Sequence, residues 1–214
     1  MSTFRFEEQK SLSLRHRVAD NVRHAILSGN LKSGDRLREQ EIAEQMKVSR
    51  GPIREAFSLL EREGLVENYP YKETLVATMS KEEITEILLP IRFTLEAFAL
   101  KKALPQLTED DFTYLTTIVE KMDLAANDGD LVTLVDLDVE FHRFLIQKSE
   151  QRTALQLWQG IDMRIRLHFM SHGKEYVDLQ EIPREHRQLL DALKTKDLDA
   201  VLNEFRRHVV ELNQ

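Results

Sequence analysis

The stretch that decides the N-terminal fold is Val48-Ser49-Arg50-Gly51-Pro52-Ile53-Arg54-Glu55-Ala56-Phe57. Ser49 is a favourable N-cap for a helix, and Pro52 falls in the first turn, where its missing N–H costs no hydrogen bond. The apolar residues of the stretch and its continuation recur at helical spacing: Ile53, Ala56, Phe57 and Leu60. The stretch therefore predicts a helix that ends at Gly64.

Shorter patterns surround this helix on both sides. Apolar stripes predict one helix over about Ser11–Ser28 and another over about Glu39–Met46. Two short strands are expected at 65–68 and 74–77, joined by the turn Tyr69-Pro70-Tyr71-Lys72-Glu73. Two helices, a tight turn, a third helix and a two-stranded wing make up the winged helix-turn-helix arrangement. Its third helix can enter the major groove of DNA.

Two arginines stand at the start of this third helix. Arg50 and Arg54 are four residues apart, so both project from one helix face. Arginine is well shaped to bind guanine O6 and N7 or a pair of phosphate oxygens, and a helix N-terminus favours a phosphate. The alternative for such a pair is that both side chains are solvated or paired with Glu55 and nearby acids. That alternative would be favoured for an arbitrary arginine pair on a helix, but the residues around this pair favour a DNA contact.

The remainder of the chain, residues 79–214, shows only helical patterns. Ser80-Lys81-Glu82-Glu83 is a capping box that places a domain boundary at about residue 79. Six helices are predicted, and Pro90 should kink or interrupt the first of them; their ranges are 81–104, 108–127, 130–149, 153–172, 178–195 and 197–213. The predicted fold is therefore mainly α. It has an arm over 1–10, a winged helix-turn-helix domain over 11–78, and an all-helical antiparallel bundle over 79–214.

Composition and charge exclude several classes of protein. The chain has no cysteine, so it contains neither a disulfide nor a thiolate metal site. No apolar run approaches the roughly 20 residues of a membrane span, and no signal-peptide core is present, so we expect a cytoplasmic protein without a membrane partner. Residues 1–78 carry 13 Lys and Arg against 12 Asp and Glu, and the remainder carries 17 against 25. The acidic excess thus lies outside the predicted DNA-binding domain.

Four metal-capable side chains occupy helix positions where the pattern predicts apolar residues. Asp138 and His142 lie four residues apart in one inward stripe, and His186 and His208 lie in the inward stripes of two other helices. A buried carboxylate is costly unless it is paired or coordinates a cation. One carboxylate and three imidazoles suit one divalent transition metal per chain, with Zn expected first and Ni, Mn, Fe or Co as alternatives. The other interpretation is a set of hydrogen-bonded core residues.

The sequence resembles two known domains over nearly its whole length. The part from about Ser11 to Thr78 resembles the DNA-binding domain of the GntR family of bacterial transcription regulators, in Leu37-Arg38-Glu39-Gln40-Glu41-Ile42-Ala43, Val48-Ser49-Arg50, Pro52-Ile53-Arg54-Glu55-Ala56, Leu59-Leu60-Glu61 and Glu63-Gly64-Leu65-Val66. The helical remainder is similar to the FadR-type effector domain, or FCD domain, in Ile91-Arg92, Leu95-Glu96, Asp138, Phe141-His142, Glu185-His186-Arg187 and Arg206-Arg207-His208. A count of six helices is closer to the shorter, VanR-like branch than to the seven-helix one.

The resemblance implies how the chain would bind DNA. Arg50 and Arg54 would contact the DNA, Ser49 and Gly51 would lie close to its backbone, and a homodimer would bind a short palindrome. Gly51 stands where the family often has threonine, which removes one phosphate contact. The wing lacks the family's usual glycine, so Lys72 is the residue that we expect to supply any minor-groove contact.

The resemblance also implies a metal-containing regulator that responds to a ligand. The four metal-capable residues match the metal-binding subset of FCD domains position by position, and the family's effectors are mostly small organic acids. Arg92 is the first candidate to clamp an effector carboxylate, with a salt bridge to Glu96 as the equal alternative; Arg164 and Arg166 are further candidates.

These observations lead to a hypothesis and an alternative. We expect a DNA-binding regulator of an operon for organic-acid or sugar-acid metabolism. A repressor is expected, because repression is more common in this family than activation. The alternative is a helical metalloenzyme with an appended DNA-binding domain. Only Glu140, which points away from the Asp138 face, and Glu185 could act as a general base near the ligands. The sequence therefore favours a regulator over an enzyme.

Overall fold

The computed structural model describes residues 14–69, 72–172 and 178–212. The arm expected over residues 1–10 lies outside the described residues, as does Pro70-Tyr71 in the turn of the wing. The described residues form an N-terminal winged helix-turn-helix unit, and a C-terminal bundle of helices follows it. The predicted fold class, mainly α with these two parts, is confirmed.

The described part of the N-terminal unit contains three helices and three short strands. They are α1 (Leu14–Leu27), β1 (Arg36–Leu37), α2 (Glu39–Met46), α3 (Arg50–Glu63), β2 (Val66–Tyr69) and β3 (Glu73–Val76). The strands form an antiparallel sheet in the order β1-β3-β2. The prediction of a two-stranded wing is corrected to a three-stranded sheet. The sequence did not reveal β1 because two residues are too few to show the alternation that marks a strand.

The third helix, α3, packs as its apolar stripe predicts. Ile53, Ala56, Phe57 and Leu60 are all buried in the core of the N-terminal unit. Gly64 ends the helix in the left-handed conformation, with φ at +76°, and its N–H is bonded to the Glu61 carbonyl. This burial leaves the opposite face of α3, with its two arginines, turned to solvent.

The C-terminal bundle begins at the predicted capping box of Ser80 and Glu83. Its described elements are α4 (Lys81–Glu83), a π-helical turn (Ile84–Leu88), α5 (Leu89–Ala103), a 3-10 turn (Leu104–Gln106), α6 (Glu109–Asn127), α7 (Leu131–Lys148), α8 (Arg152–Gln159), α9 (Asp162–His172), α10 (Glu181–Thr195), α11 (Leu198–Arg206) and a second π-helical turn (Arg207–Glu211). The interruption expected at Pro90 takes the form of the first π-helical turn, which directly precedes α5. Among the described residues, no helix is long and apolar enough to cross a membrane.

The single helix predicted over 153–172 is instead two helices, α8 and α9. The α-helical hydrogen bonding gives way to shorter-range bonds at Gly160. The Gly160 N–H is bonded to the carbonyls of both Gln156 and Leu157, and the Ile161 N–H is bonded to the Trp158 carbonyl three residues before it. Asp162 then opens α9 as an acidic residue in its first turn. If the helices on either side of each π-helical turn are counted as one, the described residues contain seven helical runs in the bundle. The prediction of six helices was wrong. The helix count therefore no longer supports a closer likeness to the shorter, VanR-like branch of the family.

Helix α9 contributes to two hydrophobic cores. Leu167 belongs to the core of the N-terminal unit, together with residues of α1 and α3. Ile165 and Phe169 belong to a core of the bundle, together with residues of α5, α7 and α8. The α9 helix is therefore apolar on both sides and packs between the DNA-binding unit and the bundle.

Candidate nucleic-acid interface and metal centre

Glu39 of α2 holds both arginines at the start of α3. Its Oε2 atom lies 2.8 Å from Arg50 Nη2, and both of its carboxylate oxygens lie 2.9 Å from Arg54 Nε. Burial raises the pKa of Glu39, but the hydrogen bonds from the two arginines outweigh this and hold the pKa below its usual value. The arginine side chains are 57% and 62% exposed, so each keeps most of its surface free for another partner. Glu55, the partner considered from the sequence, instead lies near Arg15.

An open groove of about 870 Å³ runs between this arginine pair and the wing. Its cationic lining residues are Arg36, Arg38, Arg50, Arg54 and Lys72. The four arginines are all ion-paired with glutamates: Arg36 with Glu73 at 3.4 Å, Arg38 with Glu41 at 2.6 Å, and the other two with Glu39. Lys72 is exposed at the wing. The groove can therefore present several cations to a polyanion once these local pairs are exchanged.

Ser49 and Gly51 lie beside the arginine pair. Ser49 is the N-cap of α3, as predicted, but its hydroxyl makes no capping hydrogen bond. A Cβ added at Gly51 would meet no atom within 4 Å, so the space that a threonine would fill is open. Both positions therefore leave the N-terminus of α3 accessible to a phosphate.

The four metal-capable residues come together in the bundle. The structure buries all of them, at no more than 4% exposure, and one candidate ligand atom from each lies within 4.8 Å of the others. Helix α7 supplies Asp138 and His142, α10 supplies His186, and the second π-helical turn supplies His208. We call this set the four-residue cluster.

The hydrogen bonds of the three histidines determine which ring nitrogens face the cluster. Each Nδ1 lies beside an oxygen acceptor: His142 Nδ1 at 2.9 Å from Glu96 Oε2, His186 Nδ1 at 2.8 Å from the Ile182 carbonyl, and His208 Nδ1 at 3.2 Å from Glu185 Oε2. An N–H at each Nδ1 leaves a lone pair on each Nε2. This is the pattern by which outer hydrogen bonds orient metal-binding histidines.

The Nε2 atoms of the three histidines lie close to one another and to the Asp138 carboxylate. The Nε2 atoms of His142 and His208 are 3.2 Å apart on stacked rings, and His186 Nε2 lies 3.3 Å from Asp138 Oδ1 without making a hydrogen bond. Burial lowers the pKa of His142, and it lowers that of His208 well below its usual value, so a proton is a poor occupant. The donor set of three nitrogens and one carboxylate oxygen fits a divalent transition metal.

Asp138 connects the cluster to a buried network around Arg92. Its Oδ2 atom lies 3.3 Å from Arg92 Nη2, and Arg92 Nε donates to Glu96 Oε1 at 2.9 Å. The salt bridge to Glu96 that the spacing allowed is thus present, although Arg92 Nη1 is buried without a hydrogen bond. Burial raises the pKa of Asp138, but Arg92 and the nearby histidines hold it well below its usual value.

A small cavity of about 10 Å³ adjoins the four-residue cluster. Its lining residues are Leu134, Val135, Asp138, Phe169, Ile182, Glu185 and His208. Burial is the main reason why the pKa of Glu185 rises to about 7. The candidates Arg164 and Arg166 are not among these described lining residues. Arg164 donates to the Glu63 carbonyl at 3.4 Å, and Arg166 is paired with Asp136.

Comparison with known protein families assigns the N-terminal unit and the helical bundle each to a known domain family. The model for bacterial regulatory proteins of the gntR family matches residues 14–76, and the FCD domain model matches residues 86–211, more than half of the chain. The chain is a GntR-family transcription regulator. Its helical bundle is the FCD domain, and the predicted family is confirmed.

Relatives of this GntR-family chain are regulators over nearly their full length. The chain is 28% identical to the regulator McbR of Escherichia coli (strain K12) over 192 residues, which cover 89% of this chain and 86% of McbR. It is 29% identical to the gluconate operon transcriptional repressor of Bacillus licheniformis over 197 residues, 90% of this chain and 80% of the repressor. A putative GntR regulator from Rhodococcus sp. RHA1 has the same fold, with a TM-score of 0.80 at 23% identity over 94% of this chain and 96% of that one. The chain is thus a regulator and not an enzyme.

Two residues that organise these sites were missed in the sequence. Glu96 was considered as a partner of Arg92 and as part of the FCD resemblance, whereas it also accepts from Trp158 Nε1 at 3.1 Å and from His142. The spacing of Arg92 and Glu96 signalled part of this role. Glu39 was not singled out because its partners are 11 and 15 residues away on another helix, a separation that has no periodic signal.

Proposed function

We propose that this GntR-family protein is a metal-containing repressor that binds a short palindromic operator as a homodimer and responds to a small carboxylate. The observation that carries the metal part of this proposal is the convergence of three Nε2 atoms and one carboxylate oxygen in a buried cluster. One divalent metal per chain, zinc first, would neutralise the cluster. Such a protein would act in the cytoplasm, where bacterial DNA is found.

The DNA-binding role is assigned to the start of α3. Arg50 and Arg54 would contact guanine or phosphate, while Ser49 and Gly51 would lie against the backbone. Their exposure and their shared face of α3 support this assignment. Lys72 lies across the groove on the wing and would make the minor-groove contact.

The effector role is assigned to the metal and its surroundings. Four protein ligands leave two positions of a six-coordinate ion open to a carboxylate or water, whereas a zinc ion would bind the carboxylate by expanding beyond four ligands. The Bacillus licheniformis relative controls a gluconate operon, which supports a sugar acid as the ligand class. Arg92 would then act beside the metal, because its Nη1 group is buried and unpaired.

The exposed face of the first bundle helix supports a homodimer. Ile87, Ile91 and Phe98 are 54%, 44% and 47% exposed, and they recur at helical spacing. Exposed apolar side chains arranged in a stripe are typical of a surface that a partner covers. A second copy that packs on this face would form the homodimer that a palindromic operator needs, with one α3 helix for each half-site.

Metal analysis of the purified full-length protein tests the proposal. Protein prepared without chelator should contain about one divalent metal per chain, and His208→Ala and Asp138→Asn should lose it. His24→Ala is the matched control, because His24 is exposed on α1, and it should keep the metal. If the wild-type protein binds no metal, even after incubation with Zn²⁺, the cluster is a set of core residues and the proposal fails.

A further inference from the structure

The cavity beside the four-residue cluster is too small for an organic acid. Its volume of about 10 Å³ is close to the space that one water molecule needs. A carboxylate that reaches the metal must therefore displace part of the wall. This inference rests on the proposed function, because it concerns how a ligand enters that site.

Six of the seven lining residues belong to elements that carry the cluster itself. Leu134, Val135 and Asp138 lie on α7, Ile182 and Glu185 lie on α10, and His208 lies in the second π-helical turn. A metal bound to the cluster would tie these three elements together. Phe169 is the exception among the described lining residues, because α9 carries none of the four candidate ligands. The Phe169 side chain is therefore the part of the wall that a bound metal does not hold in place.

Phe169 also lies beside the guanidinium group of Arg92. The guanidinium carbon of Arg92 lies 5.8 Å from the centroid of the Phe169 ring. Arg92 Nη1 is buried without a hydrogen bond, which is a costly state for a charged group. Movement of the ring would open space next to the Arg92 guanidinium, which is hydrogen-bonded to the candidate metal ligand Asp138. A carboxylate that enters can then accept from Arg92, which offsets the loss of the ring's packing.

The opposite side of α9 contacts the DNA-binding unit. Leu167 is buried in the core of that unit, to which α1 and α3 also contribute residues. Arg164 donates to the carbonyl of Glu63, the last residue of α3, and the hydroxyls of Ser171 and Ser33 are 2.8 Å apart. A shift of α9 would therefore change contacts at the C-terminal end of the recognition helix.

We propose that Phe169 is the wall that a small carboxylate displaces on reaching the metal, and that α9 transmits this displacement to the C-terminal end of α3. Phe169 is thus a positioning residue that sets both the cost of ligand entry and the response of the DNA-binding unit. The two halves of the proposal have separate tests.

The first test is calorimetric titration of acetate into zinc-loaded, full-length protein. Phe169→Ala removes the ring, so acetate no longer has to displace it to reach the metal. The variant should bind acetate at least roughly tenfold more tightly than the wild type. Phe144→Ala is the matched control, because this ring packs against Tyr114 in the same bundle and does not line the cavity; it should bind like the wild type. Equal acetate affinity in the wild type and Phe169→Ala, or no binding by either, overturns the proposal.

The second test is amide hydrogen exchange of the same proteins with saturating acetate. In the wild type and Phe144→Ala, exchange should change in α9 and in the last turn of α3. In Phe169→Ala the change in α3 should be lost although acetate binds, and Phe169→Leu, a milder change to an apolar residue, should reduce it if the alanine variant does not fold. Arg164→Ala should keep the change in α9 and reduce the change in α3.

An α3 response that survives the loss of the ring overturns the relay. So does acetate binding to the wild type without any change in α9. Failure to bind zinc at the outset is a separate result, because it removes the metal and with it the proposed function.

Discussion

Glu39 in the DNA-binding unit and Glu96 in the FCD domain each accept hydrogen bonds from several side chains. Glu39 binds two arginines whose side chains are more than half exposed. Glu96 binds Arg92, His142 and Trp158, and its own side chain is 2% exposed. Burial raises the pKa of Glu96, but His142 and Arg92 outweigh it and bring the pKa to about 2.

The difference lies in the solvent around the two carboxylates. Water and salt can replace Glu39 at little cost, so its arginines are free to exchange one anion for another. No solvent can replace Glu96, and the loss of its charge would leave Arg92 with fewer compensating anions in the core. A glutamate that accepts several hydrogen bonds thus allows reversible binding in the DNA-binding unit, whereas it fixes the positions of its partners in the FCD domain.

The largest effect should follow from Glu96→Gln. The neutral amide leaves the buried guanidinium of Arg92 undercompensated, and breaking a buried ion pair of this kind costs about 3–5 kcal/mol. Chemical denaturation of the metal-free protein measures this change in the free energy of unfolding. Glu39→Gln is the control and should cost less than about 1 kcal/mol. A similar loss in the two variants would show that the contrast in solvent exposure has no energetic consequence.

Arg54→Ala should weaken specific DNA binding by about 1–3 kcal/mol, because it removes a side chain at the groove-facing start of α3. The free energy of unfolding should stay nearly constant, since the side chain is 62% exposed. A gel-shift titration on a selected operator fragment measures the affinity. Arg15→Ala, also an exposed arginine but on α1, is the control. Unchanged affinity in an Arg50→Ala, Arg54→Ala double variant would contradict the assignment of this face.

Lowering the pH should destabilise the metal-free FCD domain. The folded-state pKa values of His142 and His208 are lowered, chiefly by burial, so the unfolded chain binds more protons than the folded one as the pH falls below about 6.5. The contribution of the two histidines is therefore complete above that pH and declines below it, by at most about 1.4 kcal/mol per pH unit for each histidine. Glu185, whose pKa is raised to about 7, acts with the opposite sign, but it is one group against two and reduces the decline without reversing it. Thermal unfolding in a chelator across pH 5–8 checks the sign. A melting temperature that rises between pH 6 and pH 5 would contradict this net decline.

The smallest effect should come from Glu39→Gln on DNA binding. Removal of one negative charge beside Arg50 and Arg54 should strengthen binding to non-specific DNA by about 1 kcal/mol or less. It should also reduce the ratio of specific to non-specific affinity, because the arginines lose the contact that fixes their orientation. Competition titrations with operator and random-sequence DNA measure the ratio. An increased ratio would mean that Glu39 opposes readout instead of preparing it.

Periodicity made much of this fold and site predictable. The buried stripe of α3 gave its boundaries and the exposure of its arginines, and four polar residues in inward stripes gave the cluster. The break at Gly160 was missed because the apolar pattern continues across it from α8 into α9. Contacts between helices distant in the chain, such as Glu39 with α3 or Phe169 with Arg92, leave no periodic signal. They arise from packing and needed the structure.

The ion pairs around the DNA groove also determine how the protein should respond to ionic strength. A bare arginine that binds a phosphate displaces a condensed cation from the DNA, and each such contact steepens the loss of affinity with added salt. Here the arginines that line the groove already have glutamate partners, and these carboxylates must take up cations from solution when the arginines turn to DNA. The uptake of cations by these carboxylates offsets the release of condensed cations from the DNA. Operator binding should therefore weaken less steeply with salt than the number of arginines in the groove implies.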